Sequence, residues 1–566
     1  PELISAGGGV FERSEKLIRL TPEIRAMLNI KDAALTPDEL IRAMLRMPCD
    51  LLWNGGIGTY VKASVESHAE VGDRSSDSVR VNAKELRCRV VGEGGNLGVT
   101  QLARIEFGLH GGRINTDFID NSAGVDCSDR EVNIKILLNQ VGDQRPLTPA
   151  RREKLLVGMT DEVAGLVLRN NYLQTQAISL MEAHAAERIR EHAWLIRLLE
   201  KSGTLDRELE FLPGEEDIEE RRKAGRGLTR PELAVLMSYS KIALYADMIR
   251  SSVPEDDYLA KELVSYFPAP LQRRYRSLMS EHPLAREIVA TLVTNSLVNR
   301  MGSVFAFRMQ EENGADAAAV ARAFSIAREV FDIRSLWRDI EALDNKVHAN
   351  IQYSMMLQTQ RLIKHATQWL LDRRDLIGDI AAAVQRFHKG AARLSASIEE
   401  ILRGHERIRY EEARDLYAET GVPGHLAKRM AALRPMNAGL DILEVADRTG
   451  ADAEFVAGVY FRLGEDVHLD WIREQIERLE VDGHWQAMAR SSLRENLYTL
   501  QSRLADQVVR GSAGQAADTA VDDWLEERSK RVEHIRHITR EMRAGGPLDF
   551  PTASVALQEI RRLAHG

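Results

Sequence analysis

Three short stretches rich in glycine and asparagine are where this chain could do chemistry: Asn54-Gly55-Gly56-Ile57-Gly58-Thr59, Gly92-Glu93-Gly94-Gly95-Asn96-Leu97-Gly98-Val99-Thr100, and Asp117 through Ser128. Glycines at the end of a buried strand let backbone approach a ligand closely, and an asparagine amide can donate to a ligand's hydroxyl or amide. Each stretch has a plainer reading beside the functional one. The first is also an ordinary tight turn. In the second, Glu93 reads as an acid satisfying its own turn, whereas Asn96 divides evenly between turn and crevice. In the third, small residues ahead of a helix offer free N–H groups to an anion, and Ser128 serves equally as the helix N-cap or as a ligand contact.

The elements that would position these turns alternate strand with helix. Thr36-Pro37-Asp38-Glu39 signals a helix start, followed by Leu40, Ile41, Met44 and Leu45 at helical spacing. Asp50-Leu51-Leu52-Trp53 reads as a buried strand running into the first turn, and Arg87-Cys88-Arg89-Val90-Val91 as a second running into the next turn. A helix with Leu102, Ile105 and Leu109 follows, then a third strand from Arg113 to Phe118 and a helix from about Ser128 to Val141. The pattern predicts a parallel sheet flanked by helices, with all three turns at its carboxyl edge lining one crevice.

Beyond Pro146 the strand signal ends. No proline occurs between Pro283 and Pro423, and Ile340, Leu343, Val347, Ile351, Met355, Leu362 and Trp369 form a narrow stripe that predicts a long bundled helix. Thr229-Arg230-Pro231-Glu232 opens another helix. Loops are expected near 144–148, 203–227, 311–314 and 421–424. The fold class is therefore α/β followed by all-α, divided as 1–145, 146–330, 331–430 and 431–566. Other chemical candidates are weaker. His534 and His537 lack a third ligand, so no metal is expected; Tyr353, Met355 and Met356 read as core; 219–223 reads as a solvated face or linker.

The formal net charge of -9, without a long basic run, argues against nucleic acid or an anionic membrane as partner. Three cysteines, Cys49, Cys88 and Cys127, make no disulfide framework and no metal spacing, which points to a reducing cytoplasm. Neither a long uncharged apolar run nor a signal peptide is present. The chain opens at Pro1-Glu2 close to a turn, Ser5 to Val10, and reads as a piece of a longer polypeptide.

The order and spacing of the three turns resemble those of the Glu/Leu/Phe/Val amino-acid dehydrogenase superfamily. Glu93-Gly94-Gly95-Asn96 with Thr100 is similar to its Glu-Gly-Ala-Asn turn, and Asp117 through Val125 to its Pro-Asp-x-x-x-Asn-Ala-Gly-Gly-Val segment, the match running on to Ser128 and Glu131. Departures at Ser122-Ala123, Asp126-Cys127 and Leu52 through Tyr60, with Gly227 through Leu236, resemble the large NAD-dependent glutamate dehydrogenases, specifically their C-terminal portion. The resemblance implies a Rossmann-like fold and oxidative deamination of L-glutamate to 2-oxoglutarate with NAD. It implies that Asn54, Gly55, Gly56, Asn96 and Asn121 contact cofactor, and that Asn121, Val125 and Ser128 contact substrate. It further implies a homo-oligomer joined to N-terminal regulatory and substrate domains. The family's catalytic lysine and aspartate would lie upstream, leaving no catalytic residue in this chain and the chain alone inactive. No G-x-G-x-x-G follows a strand, so the choice of NAD over NADP rests on the resemblance alone. Two alternatives stay open: a related dehydrogenase with a different amino-acid substrate, and a helical assembly or regulatory module without catalysis of its own.

Overall fold

The computed structural model describes residues 3–144, 147–481, 483–512 and 514–565. Arg145 and Pro146, at the centre of one expected loop, and Pro1-Glu2 lie outside them. The chain divides into two units, Pro1–Phe307 and Arg308–Gly566.

The first unit starts with an antiparallel pair, β1 (Ile18–Arg19) and β2 (Ala34–Leu35), around α1 (Pro22–Leu28). Next comes α2 (Pro37–Leu45), which begins where the sequence indicates: Thr36 and Glu39 close a reciprocal capping box and Pro37 occupies the first turn. β3 (Leu51–Asn54) pairs in parallel with β6 (Val90–Glu93), Asn54 opposite Glu93, and Arg113 bridges to Val90, also in parallel. Between them lie β4 (Val61–Lys62), α3 (His68–Val71) and β5 (Val81–Asn82), with β4 parallel to β5 and Val61 bridging to Val99. α4 (Gln101–Leu109) packs below this sheet: Val91, Val99, Ala103, Phe107 and Ile114 share one core with Val61 and Val81, and Leu52 packs against it. The opposite sheet face leaves Leu51, Trp53 and Val90 exposed.

The parallel pairing agrees with expectation, but the third strand does not form. Only Arg113 bridges; residues 114–116 are irregular and α5 (Asp117–Asp120) takes the expected strand's end. Alternating Ile114 and Thr116 imitates a strand, yet the Asp117 carboxylate accepts from Leu97 N (2.8 Å) and Phe118 N (2.9 Å), which turns the backbone into a helical start. The following helix, α6 (Ser122–Gln144), begins six residues earlier than expected, so Ser128 lies inside it and is not its N-cap.

Helices fill the remainder of the first unit: α7 (Pro149–Val157), α8 (Thr160–Glu182), α9 (Ile189–Lys201), α10 (Glu215–Lys223), α11 (Arg230–Arg250), α12 (Lys261–Tyr266), α13 (Ala269–Met279) and α14 (Ala285–Met301). α10 falls inside the expected 203–227 loop, and residues 311–313 end a helix instead of forming a loop. α11 carries the expected cap at Thr229 and Glu232.

Among its described residues the second unit is helical. The long stripe is cut in two: one helix ends at Glu341 and the next runs Ala349–Leu371. Asn345 adopts a left-handed backbone (φ 60°), and the His348 side chain accepts from Asn350 N, capping a fresh start. Met355 and Met356 are buried there, and His534 and His537 each lie beside a glutamate, Glu559 (3.6 Å) and Glu541 (3.4 Å).

Candidate functional site

The turns that follow β3 and β6 meet the α5–α6 junction at one edge of the sheet. Asn54 O accepts from Gly94 N (2.8 Å) and Gly95 N (3.1 Å), so the first two turns are joined through backbone. A Cβ on Gly95 would stand 2.7 Å from Gly56 O; only glycine allows this approach. Asn121 Nδ2 donates to Asn96 Oδ1 at 2.5 Å, joining the second turn to the third. Thus Asn54, Gly55, Gly56, Asn96 and Asn121 are brought together at the carboxyl edge, where the parallel-sheet argument puts a ligand.

Their side chains are not equivalent. Asn96 is exposed and Asn121 half-buried, so both amides face the open edge. Asn54 instead tucks its amide under the second turn, where a Cβ on Gly98 would overlap it, and Asn54 Nδ2 is buried without a hydrogen-bond partner. An orphaned donor of this kind is what an ordered water or a ligand satisfies. Val125 and Ser128 are exposed on the first two turns of α6. Counting from Asn121 the spacing is four and three, which places the three on one side of the chain.

Beneath the turns lies a buried charged cluster. Glu93, fully buried, accepts from Arg104 Nε (2.7 Å), Arg104 Nη2 (2.9 Å) and Val99 N (3.2 Å). Arg104 reaches Asp117 as well, at 3.3 Å. Glu93 therefore supports its own turn, as its structural reading has it, and through Arg104 the third turn too. Asp120 accepts from Glu93 N (3.1 Å) and from Asn115 Nδ2 (2.8 Å), and Arg230 Nε donates to Asn115 Oδ1 (3.0 Å). Burial pushes the Glu93 and Asp120 carboxyls up, against the pull of Arg104 and of the bonds from Asn115, while Glu93 and Asp117 hold the Arg104 guanidinium firmly charged.

A second ring of amides fixes the start of α6. Asn171 Nδ2 donates to Ile119 O (2.9 Å) and Ser122 Oγ (3.0 Å), and Asn170 Nδ2 to Asp126 Oδ2 (2.7 Å), all from α8. Lys241 on α11 donates to Gln174 Oε1 (3.3 Å), and burial lowers its ammonium to about 7. Arg104, Asn171 and Lys241 all escape a reading based on turns, and Asp120, though inside the third stretch, carries no role in that reading. The only trace of Arg104 in the sequence is an arginine placed between Ala103 and Phe107 on an otherwise apolar helix face.

Fold and site together define a mostly helical chain with a polar crevice at the carboxyl edge of a small parallel sheet. A family model described as "Bacterial NAD-glutamate dehydrogenase, catalytic domain" matches residues 1–181, and one described as "Glutamate dehydrogenase, C-terminal" matches 225–562. Proteins named NAD-specific glutamate dehydrogenase are 48% identical over 564 residues in Pseudomonas aeruginosa, 45% over 565 in Halomonas elongata and 40% over 568 in Mycobacterium tuberculosis. These matches cover 99–100% of this chain and 35% of each relative. The chain belongs to the bacterial NAD-specific glutamate dehydrogenase family. The assignment corrects the resemblance to the Glu/Leu/Phe/Val superfamily, which is confined to the three turns. The expected inactivity of this chain also loses its support, because a catalytic-domain model covers its first 181 residues.

Among the described residues no helix is long and apolar enough to cross a membrane, and no three His, Cys, Asp or Glu side chains cluster as a metal site.

Proposed function

We propose that the chain supplies the nicotinamide end of the active site of an NAD-dependent glutamate dehydrogenase. The reaction takes L-glutamate, NAD and water to 2-oxoglutarate, ammonium, NADH and a proton. The observation that carries the reading is that the Asn96–Asn121 bond, with the backbone bonds from Gly94 and Gly95 to Asn54 O, unites the three turns at one edge, in a chain 40–48% identical to proteins named for this activity.

The residues suit the cofactor. The exposed Asn96 amide and the half-buried Asn121 amide can bond a ribose or carboxamide, and nothing lies within 4 Å of a Cβ built on Gly56, so the first turn offers open backbone. Asn54, Gly55 and Gly56 border the cofactor, Asn96 its nicotinamide ribose, and Asn121 both the carboxamide and the substrate. When bound, NAD supplies the hydride acceptor. Val125 packs on the substrate and Ser128 donates to its side-chain carboxylate; a branched or aromatic substrate would leave that hydroxyl unpaired. The sheet is part of a Rossmann-like sheet completed by other parts of the polypeptide. The same reading includes the four-part domain plan, a cytoplasmic location and a homo-oligomer, which light scattering on the purified protein measures.

The test is NADH formation by the whole protein with glutamate, leucine or phenylalanine, followed at 340 nm. Glutamate should be preferred by orders of magnitude, and Ser128→Ala should raise KM for glutamate about tenfold or more while KM for NAD stays within twofold. Preference for leucine or phenylalanine would refute the substrate assignment.

A further inference from the structure

At the other end of the same strands a cavity of about 630 Å³ opens. Its floor is apolar, formed by Leu86, Cys88 and Phe107, all buried. Gly112 lies directly on the Phe107 ring, where any Cβ would come within 2.3 Å of it, and this close approach shapes one wall. The rim is basic. Lys84, Arg89, His110 and Arg113 all line the cavity and are exposed, against a single acid, Asp50.

In a chain of net charge -9 with histidines counted neutral, three cations, Lys84, Arg89 and Arg113, facing one acid is a local reversal of sign. Asp50 is engaged by Arg89 at 3.3 Å, but both side chains are more than four-fifths exposed, so the pair is weak and readily exchanged. Lys84 and Arg113 have no ion-pair partner among the described residues. A concave surface with one sign of charge focuses its field on a counter-ion, and the volume falls within the range of about 300–1,000 Å³ that holds small ligands. Arginine binds carboxylate and phosphate through paired N–H groups, and lysine acts as a point charge.

The cavity is distinct from the crevice. Val90 lines it, whereas Glu93, where the second turn begins, lies three residues further along the same strand, roughly 10 Å away.

We propose that this cavity is a binding site for a small polyanion, a polyphosphate or polycarboxylate, separate from the proposed active site and independent of that reading. The experiment is isothermal titration calorimetry of the whole protein with inorganic pyrophosphate and, separately, with citrate. At least one should bind with a submillimolar Kd at low salt; which one binds distinguishes phosphate from carboxylate recognition. The double variant Lys84→Gln/Arg113→Gln should weaken binding tenfold or more. The charge-matched double variant Lys530→Gln/Arg531→Gln, on a helix of the second unit, should leave it within twofold, as should Asn96→Ala/Asn121→Ala in the crevice. Circular dichroism of each variant should match the parent. Failure of both anions to bind, equal loss in the distant variant, or loss in the crevice variant would overturn the proposal.

Discussion

Asn121 and Arg104 show two ways in which one residue can matter to the crevice. Asn121 bonds Asn96 across the turns and stands beside the proposed reacting groups, so Asn121→Ala should cut kcat about tenfold or more while KM for NAD rises only a few fold. Steady-state kinetics decide it; an unchanged kcat at unchanged KM removes the role. Arg104 instead acts from below. Arg104→Met leaves Glu93 buried at 0% exposure with Val99 N as its remaining direct partner, a deletion that costs about 3–5 kcal/mol. The double variant Arg104→Met/Glu93→Gln should recover part of that loss, since it removes the uncompensated charge. Denaturant melts of the parent and the two variants test this, and a single variant as stable as the parent contradicts it. The asparagines were legible as candidates because each stands in a glycine-rich turn after an apolar run, although the sequence left Asn96 divided between turn and crevice. Arg104 was not, because its partner Glu93 lies eleven residues back and only the strand-turn-helix geometry brings the two together.

Elements were legible where their ends carry local chemistry. The caps at Thr36 and Thr229 are written in four consecutive residues each, and both helices start there. β3 and β6 were legible in part, through runs that end in glycine: β6 starts at Val90, three residues later than expected, and β3, expected to be buried, leaves Leu51 and Trp53 exposed. The third strand failed because its end is decided at a distance, by Leu97 N bonding Asp117. The long stripe failed for a related reason: its spacing survives across residues 342–348, where Asn345 and the His348 cap break the helix without disturbing the apolar period. At the start of α11 the cap is more than local. Glu232, 1% exposed, accepts from Thr229 N (2.6 Å) and Thr229 Oγ1 (2.7 Å) and also takes a bidentate pair from Arg221 (2.7 and 2.9 Å), so one carboxylate ties α10 to α11. Glu232→Ala should therefore cost about 3 kcal/mol or more, above the roughly 1 kcal/mol of a lost cap alone. Thr229→Ala, which keeps the Arg221 pair, should stay near the smaller figure. Equal losses in the two variants would mean that the ion pair adds nothing.

At the scale of the molecule, two buried groups respond to acid in opposite directions, His192 in the first unit and Asp441 in the second. His192, 2% exposed on α9, has its pKa lowered to about 4, chiefly by burial, with Nδ1 lacking a hydrogen-bond partner. As pH falls below the unfolded value of 6.5, the unfolded chain takes up a proton that folded His192 refuses. This group's contribution to the first unit's stability is therefore lost between about pH 6.5 and 4, by up to about 3 kcal/mol in all. Asp441 in the second unit is raised from 3.8 to about 6 by burial, against the bond from Trp369 Nε1 (2.9 Å). Folded Asp441 binds its proton first, so this group's contribution to stability rises as pH falls from about 6 towards 3.8, also by about 3 kcal/mol at most. Neither group is visible as a titration site in the sequence, since burial in a helical core is not a local property. Urea unfolding at pH 7 and pH 5, followed by hydrogen exchange so that each unit is read separately, should show the first unit weakening relative to the second. His192→Leu should flatten the first unit's dependence and Asp441→Asn the second's, each leaving the other unit's dependence as it was. Parallel pH dependences in both units of the parent protein, unaltered by either substitution, would show that these two groups do not control its response to acid.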